Sequence, residues 1–244
     1  MSNSNFSAPS WLIPDGSQKG LSSILVARTG SGKTEWLKRM LFDGYKVPES
    51  KYHRTIFITP KYENILNAPA VADPRSLQKA LQKNSIVAYH PVDPEYYDED
   101  VNSVIETIFN LKDEIPAVKD DKGVYHEISY HIVIDDSQIL DGFDSRRSPS
   151  PSVKKLTIAG RSKKIKGTFV VHRFGALPRI MNGNVGDLIV MNVSSIDLDI
   201  TKRLFGIDFE PIMPELVDYR WVYTDLLQNT PMPTKYAPVK LVGQ

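Results

Sequence analysis

Residues 24–34 read Ile-Leu-Val-Ala-Arg-Thr-Gly-Ser-Gly-Lys-Thr, an apolar run that ends in a glycine-rich turn. Glycines let the backbone curl so that successive N–H groups point at phosphate oxygens, while Lys33 can reach the terminal phosphates and the Thr34 hydroxyl can ligate magnesium. Residues 35–40 predict a helix whose N-terminal dipole faces the same anion. This order predicts a nucleoside triphosphate site. The residues expected around the phosphates are Arg28, Thr29, Gly30, Ser31, Gly32, Lys33 and Thr34.

The composition fits one α/β domain that can bury a full core, with 244 residues of which 41% are hydrophobic. Lysine plus arginine (30) nearly cancels aspartate plus glutamate (29), so any attraction to nucleic acid must come from local clusters of charge. The absence of cysteine excludes disulfides, thiol catalysis and thiolate metal sites. Without a hydrophobic leader or a membrane-length apolar stretch, we expect a soluble protein. We expect an irregular arm over 1–20, a P-loop domain over 21–227 and an extended tail over 228–244.

Short apolar runs alternate with amphipathic segments along the chain, which predicts a mostly parallel sheet flanked by helices. The expected strands are 25–27, 55–59, 85–89, 131–136, 168–172 and 188–192, with a further edge strand over 219–223. The expected helices are 34–42, 74–82, 101–111, 153–164 and 200–205. We expect the polar residues 117–127 to form a loop.

Two adjacent carboxylates follow the apolar residues 132–134, at the point where a buried strand reaches the carboxyl edge of the sheet. Ligands of open α/β sheets bind at this edge. We expect Asp135 to hold magnesium, commonly through water, and Asp136 to orient and deprotonate a water for in-line attack on the γ-phosphate. A surface turn with two solvated aspartates is the alternative interpretation.

A later strand ends at His172, beside the predicted Asp135 strand. A polar residue at this position can sense the γ-phosphate, and His172 can donate or accept a hydrogen bond; a structural role is equally compatible with the sequence. The other histidines lack such a context and are expected to be structural. They are His53, His90, His126 and His131.

Residues 146–166 contain eight basic and no acidic side chains in a chain that is close to neutral. A flexible loop with Arg146 and Arg147, followed by a helix with Lys154 and Lys155, is well placed to contact nucleic-acid phosphates in a salt-dependent manner. Solvated surface charge is the alternative. Three further arginines are candidates for an arginine finger that enters a neighbouring subunit's site. They are Arg161, Arg173 and Arg179.

Three segments together resemble the FtsK/HerA superfamily, and within it the genome-packaging ATPases of membrane-containing icosahedral DNA viruses. They are the P-loop at 27–34, residues 132–136, and residues 167–184, which read GTFVVHRFGALPRIMNGN. The resemblance covers about residues 20–195. It implies that Lys33 and Thr34 bind phosphate and magnesium, Asp135 binds the metal and Asp136 activates water. It also places His172 at the sensor position and Arg161 or Arg179 in trans. The chain departs from the family in carrying His172 where an amide is usual, and Asp136 where many members have glutamate.

The resemblance implies an ATP-hydrolysing DNA translocase, with ATP and Mg²⁺ as cofactors, that packages a viral genome into a preformed capsid. Expected partners are double-stranded or single-stranded DNA, further copies in a homo-oligomeric ring such as a hexamer, and capsid vertex proteins. The expected location is the packaging vertex of the virion and the host cytoplasm. A small-molecule or nucleotide kinase and a non-translocating P-loop assembly ATPase remain alternatives. A filamentous-phage assembly ATPase would normally need a transmembrane anchor, which the sequence lacks.

Overall fold

The structure is a computed structural model that describes residues 22–44, 52–61, 68–143, 147–216, 220–226 and 234–236. Its strands are β1 (Ser22–Val26), β2 (His53–Ile58), β3 (Ala70–Val71), β4 (Ile86–Tyr89), β5 (Ala117–Lys119), β6 (Tyr125–Glu127), β7 (Ser129–Ile134), β8 (Ile165–Val171), β9 (Val185–Val190), β10 (Trp221–Asp225) and β11 (Thr234–Tyr236). Its helices are α1 (Lys33–Gly44), α2 (Pro74–Lys83), α3 (Tyr97–Glu114), α4 (Pro151–Ala159) and α5 (Ser195–Phe205).

Nine strands form one sheet in the order β11-β10-β9-β1-β8-β7-β2-β4-β3. The run from β9 to β3 is parallel throughout, whereas β10 and β11 are added as antiparallel strands. The strand β1, which leads into the glycine-rich turn, lies between β8 and β9. The expected mostly parallel, helix-flanked sheet is therefore confirmed.

Apolar side chains pack on both faces of the sheet. One face carries the larger cluster, to which α2 contributes Leu77, α3 contributes Ile105 and α4 contributes Leu156. On the other face, α1 packs Trp36 and Leu37 against the central strands. Each such fully buried side chain stabilises the fold by about 1.5–3 kcal/mol. The parallel strands consequently read as continuous apolar runs, because both of their faces are covered.

Side-chain caps fix where several helices begin. The Asp73 carboxylate accepts the Ser76 N–H at 2.9 Å with Pro74 in the first turn, which starts α2. Ser150 caps α4 in the same way, followed by Pro151. Helix α2 therefore begins at the predicted residue, whereas α4 begins two residues before the predicted position.

The expected helix over 153–164 is wrong in its second half. Helix α4 ends at Ala159, and a short 3-10 turn (Arg161–Lys163) leads into β8. The Gly160 carbonyl accepts the Ile165 N–H at 2.8 Å. A Cβ at Gly160 would lie 2.4 Å from two backbone oxygens, so the chain can reverse this tightly only with glycine there.

The expected loop over 117–127 is also wrong, because β5 and β6 pair as an antiparallel hairpin there. The Asp120 carboxylate accepts the N–H groups of Lys122 and Val124 and closes the turn. Within the expected extended tail, Thr234–Tyr236 pairs with β10, so β10 is not the edge of the sheet. The expected arm over 1–20 and the rest of the tail lie outside the described residues.

Candidate functional site

The strand register brings the predicted site residues to one edge of the sheet. Val26 at the end of β1 pairs with Val171 at the end of β8, so His172 lies level with the start of the glycine-rich turn. On the other side of β8, strand β7 ends at Ile134 and is followed by Asp135 and Asp136. The turn, the carboxylates and His172 therefore share the carboxyl edge, where ligands of α/β sheets bind.

The glycine-rich turn has the backbone that the sequence predicts. Gly30 and Gly32 have φ angles of 80° and 85°, which side chains other than glycine rarely adopt. The base of the turn is fixed because Ala27 N–H donates to Val171 O and Arg28 N–H donates to Asn192 O, at 3.2 and 2.9 Å. The tip is exposed to solvent. It forms an open turn, anchored on both sides, whose geometry suits a phosphate group.

The Lys33 ammonium is bound to its own loop and to His172. Its Nζ donates to Ala27 O at 2.9 Å and lies 2.9 Å from His172 Nδ1. An ammonium group can only donate, so Nδ1 accepts and the proton of a neutral imidazole belongs on Nε2. Burial lowers the pKa of Lys33, while Asp135 and Asp136 act in the opposite direction.

The Asp136 carboxylate is held by three side chains. Its Oδ1 lies 2.8 Å from His172 Nε2 and accepts from Gln138 Nε2 at 3.3 Å. Its Oδ2 forms an ion pair with Lys61 Nζ at 3.2 Å. Burial acts to raise the pKa of Asp136, but Lys61, with smaller contributions from His172 and Gln138, holds this pKa below the usual value. Asp136 is therefore ionised at neutral pH, as a proton acceptor must be.

Asp135 is buried, and its carboxylate lies farther from Lys61 than the Asp136 carboxylate does. Its Oδ1 accepts the Asp136 N–H at 3.0 Å, and its Oδ2 lies 3.9 Å from Lys61 Nζ. Burial, followed by the neighbouring Asp136 charge, raises the pKa of Asp135. A divalent cation would relieve both effects, and Mg²⁺ is commonly held by one or two carboxylates together with substrate phosphates. The chemistry of these groups thus fits a magnesium site with Thr34, as the sequence predicts.

Sequence reasoning missed three contributors to this site. Lys61 lies just beyond β2, which neighbours β7. The sequence signal that could have identified it is a polar residue directly after a predicted strand. Gln138 accepts the His172 N–H through Oε1 at 3.3 Å and so links the loop after Asp136 to β8. Tyr97 is buried at the start of α3 and donates its hydroxyl to the Asp135 carbonyl oxygen at 2.6 Å. These contacts fix the carboxylate turn from three elements.

Three of the histidines that are expected to be structural contact polar side chains away from this site. His53 Nδ1 lies 2.9 Å from Ser129 Oγ, and His131 Nε2 lies 2.7 Å from Thr168 Oγ1, both pairs within the sheet. His126 pairs with Asp120 in the hairpin at 2.8 Å.

Most basic side chains of 147–166 have acidic partners that are distant in sequence. Lys155 pairs with Glu106 of α3 at 2.6 Å, and Lys166 pairs with Asp187 of β9 at 2.8 Å. The other pairs are Arg147 with Asp141, Lys163 with Asp113 and Lys164 with Glu127. Arg146 lies outside the described residues. Contact of Arg146, Arg147, Lys154 and Lys155 with DNA stays a prediction.

The candidate arginine fingers lie in different places. Arg161 precedes β8 and so lies at the amino edge of the sheet, one strand length of about 20 Å from its own Lys33. Arg179 begins a 3-10 turn between β8 and β9, and Arg173 directly follows His172. All three are exposed. Action in trans stays a prediction for each.

Solved structures share this fold at low sequence identity. The genome-packaging NTPase B204 of Sulfolobus turreted icosahedral virus 2, in complex with ATP-gammaS, is similar with a TM-score of 0.70 and 13% identity, over 93% of this chain and 99% of that one. VirB4 of Thermoanaerobacter pseudethanolicus has a TM-score of 0.62 and 9% identity, over 91% and 90%. The cytoplasmic domain of the type VII secretion ATPase EccC of Thermomonospora curvata has a TM-score of 0.58 and 14% identity, over 89% and 25%.

No protein-family model and no curated protein sequence matches the chain. The structural likeness shows that the chain shares the fold of these ATPases, as the predicted P-loop ATPase fold requires. Among the helices in the described ranges, none has both the length and the apolar character needed to cross a membrane.

Proposed function

We propose that the chain is an ATP-hydrolysing DNA translocase that packages a viral genome, acting as a homo-oligomeric ring at the packaging vertex of the virion and in the host cytoplasm. The observation that carries this proposal is the linked chain Lys33–His172–Asp136, which joins the phosphate cradle to an ionised carboxylate. The fold shared with a viral genome-packaging NTPase supports the choice among P-loop activities.

Lys33 donates to His172 and to the loop carbonyls of Ala27 and Arg28. The triphosphate is a stronger acceptor for an ammonium group than an imidazole or a carbonyl, so substrate binding draws Lys33 onto the β- and γ-phosphates. His172 Nδ1 then loses its donor, and it can donate to the terminal phosphate by taking up a proton, while the Nε2 proton stays with Asp136. In this way His172 reports the presence of the γ-phosphate to Asp136 through its other nitrogen.

Asp136 accepts the proton of the water that attacks the γ-phosphorus, and the bond to the β-phosphate oxygen breaks with ADP leaving. Thr34 and Asp135 hold Mg²⁺, which supplies positive charge at the phosphate oxygens when bound. Asp136 sits in the left-handed region at φ 47°, which is uncommon for residues other than glycine although aspartate adopts it more readily than most. Such a conformation is maintained here by Lys61, His172 and Gln138.

Coupling to DNA would proceed through the loop that follows Asp136. Gln138 joins this loop to the backbone of His172, so a change at the γ-phosphate is transmitted to residues 139–150. Arg146 and Arg147 lie in that stretch, and the Arg147 pair with Asp141 is long and exposed, at 3.6 Å. Exposed ion pairs are weak, so a DNA phosphate can compete for Arg147.

The test is steady-state ATP hydrolysis with and without double-stranded DNA over a series of salt concentrations. We expect stimulation by DNA that declines with salt, and that falls when Arg146 and Arg147 are both changed to alanine. Changing Lys79 and Lys83, two exposed lysines of α2, to alanine is the matched control and should leave the stimulation intact. Single-stranded DNA in parallel reactions identifies the preferred strandedness.

Hydrolysis that ignores DNA at every salt concentration would contradict translocation and favour an assembly ATPase. Transfer of phosphate to a small acceptor instead of water would favour a kinase. The mass of the native chain in solution separates a ring from a monomer.

A further inference from the structure

Helix α3 carries a row of polar side chains that faces the chain between β7 and β8. Asp98, Asn102 and Glu106 follow one another at intervals of four residues, so they lie on one face of the helix. Glu106 accepts from Ser152 Oγ in the first turn of α4 at 2.9 Å. Another face of α3 is fully buried, because Val104 packs within the larger apolar cluster. This packing fixes the helix on the sheet, and the polar row is therefore held in place as well.

The first two side chains of this row connect the two ends of the loop that precedes α4. Asp98 Oδ1 accepts the Asp141 N–H at 3.2 Å, and Asp98 Oδ2 accepts from Asn102 Nδ2 at 2.9 Å. The Ser150 hydroxyl donates to Asn102 Oδ1 and accepts the Val153 N–H at 3.3 Å as the cap of α4. We call the three side chains Asp98, Asn102 and Ser150 the clamp. It is a continuous chain of hydrogen bonds from one end of the loop to the other.

The two ends of this loop also touch through their backbones, at a contact between Gly142 and Ser148 that we call the neck. A Cβ at Gly142 would lie 2.2 Å from the Ser148 carbonyl oxygen, so a side chain there would clash. Phe143 and Pro149, which adjoin the neck, are buried. Arg147 directly precedes Ser148 and is exposed. The position of its backbone is therefore set by the neck.

The same helix is attached to the carboxylate turn at its first residue. Tyr97 is almost fully buried and donates its hydroxyl to the Asp135 carbonyl oxygen at 2.6 Å. Burial raises the pKa of Tyr97 well above its usual value, so the hydroxyl keeps its proton and remains a donor. Asp98 of the clamp is the next residue along the chain. The contact with the carboxylate turn and the contact with the loop are therefore one residue apart on a fixed helix.

We propose that the clamp holds Arg147 in position for nucleic-acid phosphates and transmits movement of the carboxylate turn to it. Displacement of Asp135 moves Tyr97 and the start of α3, and the clamp moves the neck with them. A neck that is fixed in advance also reduces the entropy lost when the loop binds DNA. This inference deepens the proposed coupling to DNA and rests on it.

The clamp is separate from the link through Gln138. That link joins the near end of the loop to the backbone of His172, whereas the clamp reaches the far end at Ser150. Asp98 and Asn102 contact the loop and each other, so they are positioning residues. Breaking the clamp should therefore impair the response to DNA and leave basal hydrolysis in place.

The variant Asn102→Ala breaks the clamp in its middle. Basal ATP turnover should stay unchanged, because the residues around the nucleotide are untouched. The increase in turnover caused by saturating double-stranded DNA at low salt should fall about threefold or more. The matched control is Asn110→Ala, the same substitution at an exposed position of the same helix, which should keep both rates. Far-UV circular dichroism checks that both variants fold.

Amide hydrogen exchange tests the transmission without DNA. In the native chain, ATP-gammaS should change the exchange rates over residues 135–138 and also over 147–153. Asn102→Ala should keep the first change and lose the second. Tyr97→Phe removes only the hydroxyl that donates to the carboxylate turn, so it should also lose the change over 147–153.

A response over 147–153 that survives in both variants would overturn the proposal and assign the coupling to the Gln138 link. A native chain whose residues 147–153 do not respond to ATP-gammaS would overturn it as well, as would loss of basal turnover in folded Asn102→Ala. A native chain that hydrolyses ATP without stimulation by DNA, but whose exchange response is lost in both variants, would contradict the proposed function alone. Transmission through the clamp would then stand.

Discussion

Two lysine–aspartate clusters lie in one sheet and differ in how their carboxylates are held. At the carboxyl edge, Asp136 pairs with Lys61, whose side chain is 49% exposed. In the body of the sheet, Asp187 pairs with Lys166, whose side chain is only 4% exposed. Asp187 also accepts hydrogen bonds from Ser23 at 3.1 Å and from Tyr223 at 2.8 Å.

The difference lies in which partners a ligand can replace. The donors to Asp187 all come from strands of the same sheet, β1, β8 and β10, and their hydrogen bonds are satisfied without a ligand. The partners of Asp136 are a half-exposed lysine and a histidine that also binds the phosphate-loop lysine. A buried carboxylate with only strand donors is structural, whereas one whose partners can exchange is available for chemistry.

The largest expected effect is on hydrolysis at the edge cluster. Asp136→Asn removes the proton acceptor while keeping the size of the side chain, so we expect ATP turnover to fall about 100- to 10,000-fold. Nucleotide affinity, measured by calorimetry with ATP-gammaS, should change little, because Lys33 and the backbone turn remain. Turnover close to the native rate would show that Asp136 is not the base.

The interior cluster should respond in stability instead. Asp187→Asn removes the carboxylate that pairs with the buried Lys166 ammonium, so we expect a loss of about 3–5 kcal/mol in the free energy of unfolding, measured with urea. Turnover per folded molecule should stay unchanged. Asp208→Asn is the control, because its pair with Lys202 is exposed and screened by solvent, so its loss should leave the stability nearly unchanged. A loss of turnover without a loss of stability would break the comparison.

Acidic pH should lower the stability of the fold through the buried histidine His53. Burial lowers the pKa of His53 from 6.5 to about 3, so below pH 6.5 the unfolded chain binds a proton that the folded chain refuses. His53 alone should therefore lower the free energy of unfolding by about 1.4 kcal/mol for each pH unit between 6.5 and 3, and buried His131, whose pKa is lowered too, adds to this fall. His53→Gln should flatten urea-unfolding profiles over this range. An unchanged slope would assign the pH dependence to other groups.

A smaller effect is expected from the exchangeable lysine. Lys61→Met removes the cation that lowers the pKa of Asp136, so this pKa rises and the acidic limb of the kcat/KM profile moves to higher pH. We expect turnover at neutral pH to drop by less than about tenfold. The control Lys83→Met on exposed α2 should leave the profile in place. An acidic limb that does not move would mean that Lys61 leaves Asp136 unaffected in the catalytic complex.

Local patterns predicted the parts of the site that local sequence builds. The glycine turn needs two left-handed residues between a strand and a helix, and Gly30 and Gly32 stand there. The β5–β6 hairpin was missed because strands of three residues show no useful periodicity. The sequence alone does not reveal the ion pairs of the basic residues in 146–166. Their acidic partners, such as Glu106 and Asp187, lie on other elements.

By itself, the sequence determined a parallel α/β sheet, a phosphate loop ending in Lys33 and Thr34, and two carboxylates at a strand end. These features follow from spacing within one segment, where backbone geometry depends on adjacent residues. Only the tertiary structure decided which side chains contact each other. Lys61 and Gln138 contact Asp136, Lys33 donates to His172, and Lys166 forms an ion pair with Asp187 within the sheet. Those contacts depend on strand order, which places residues far apart in the chain side by side.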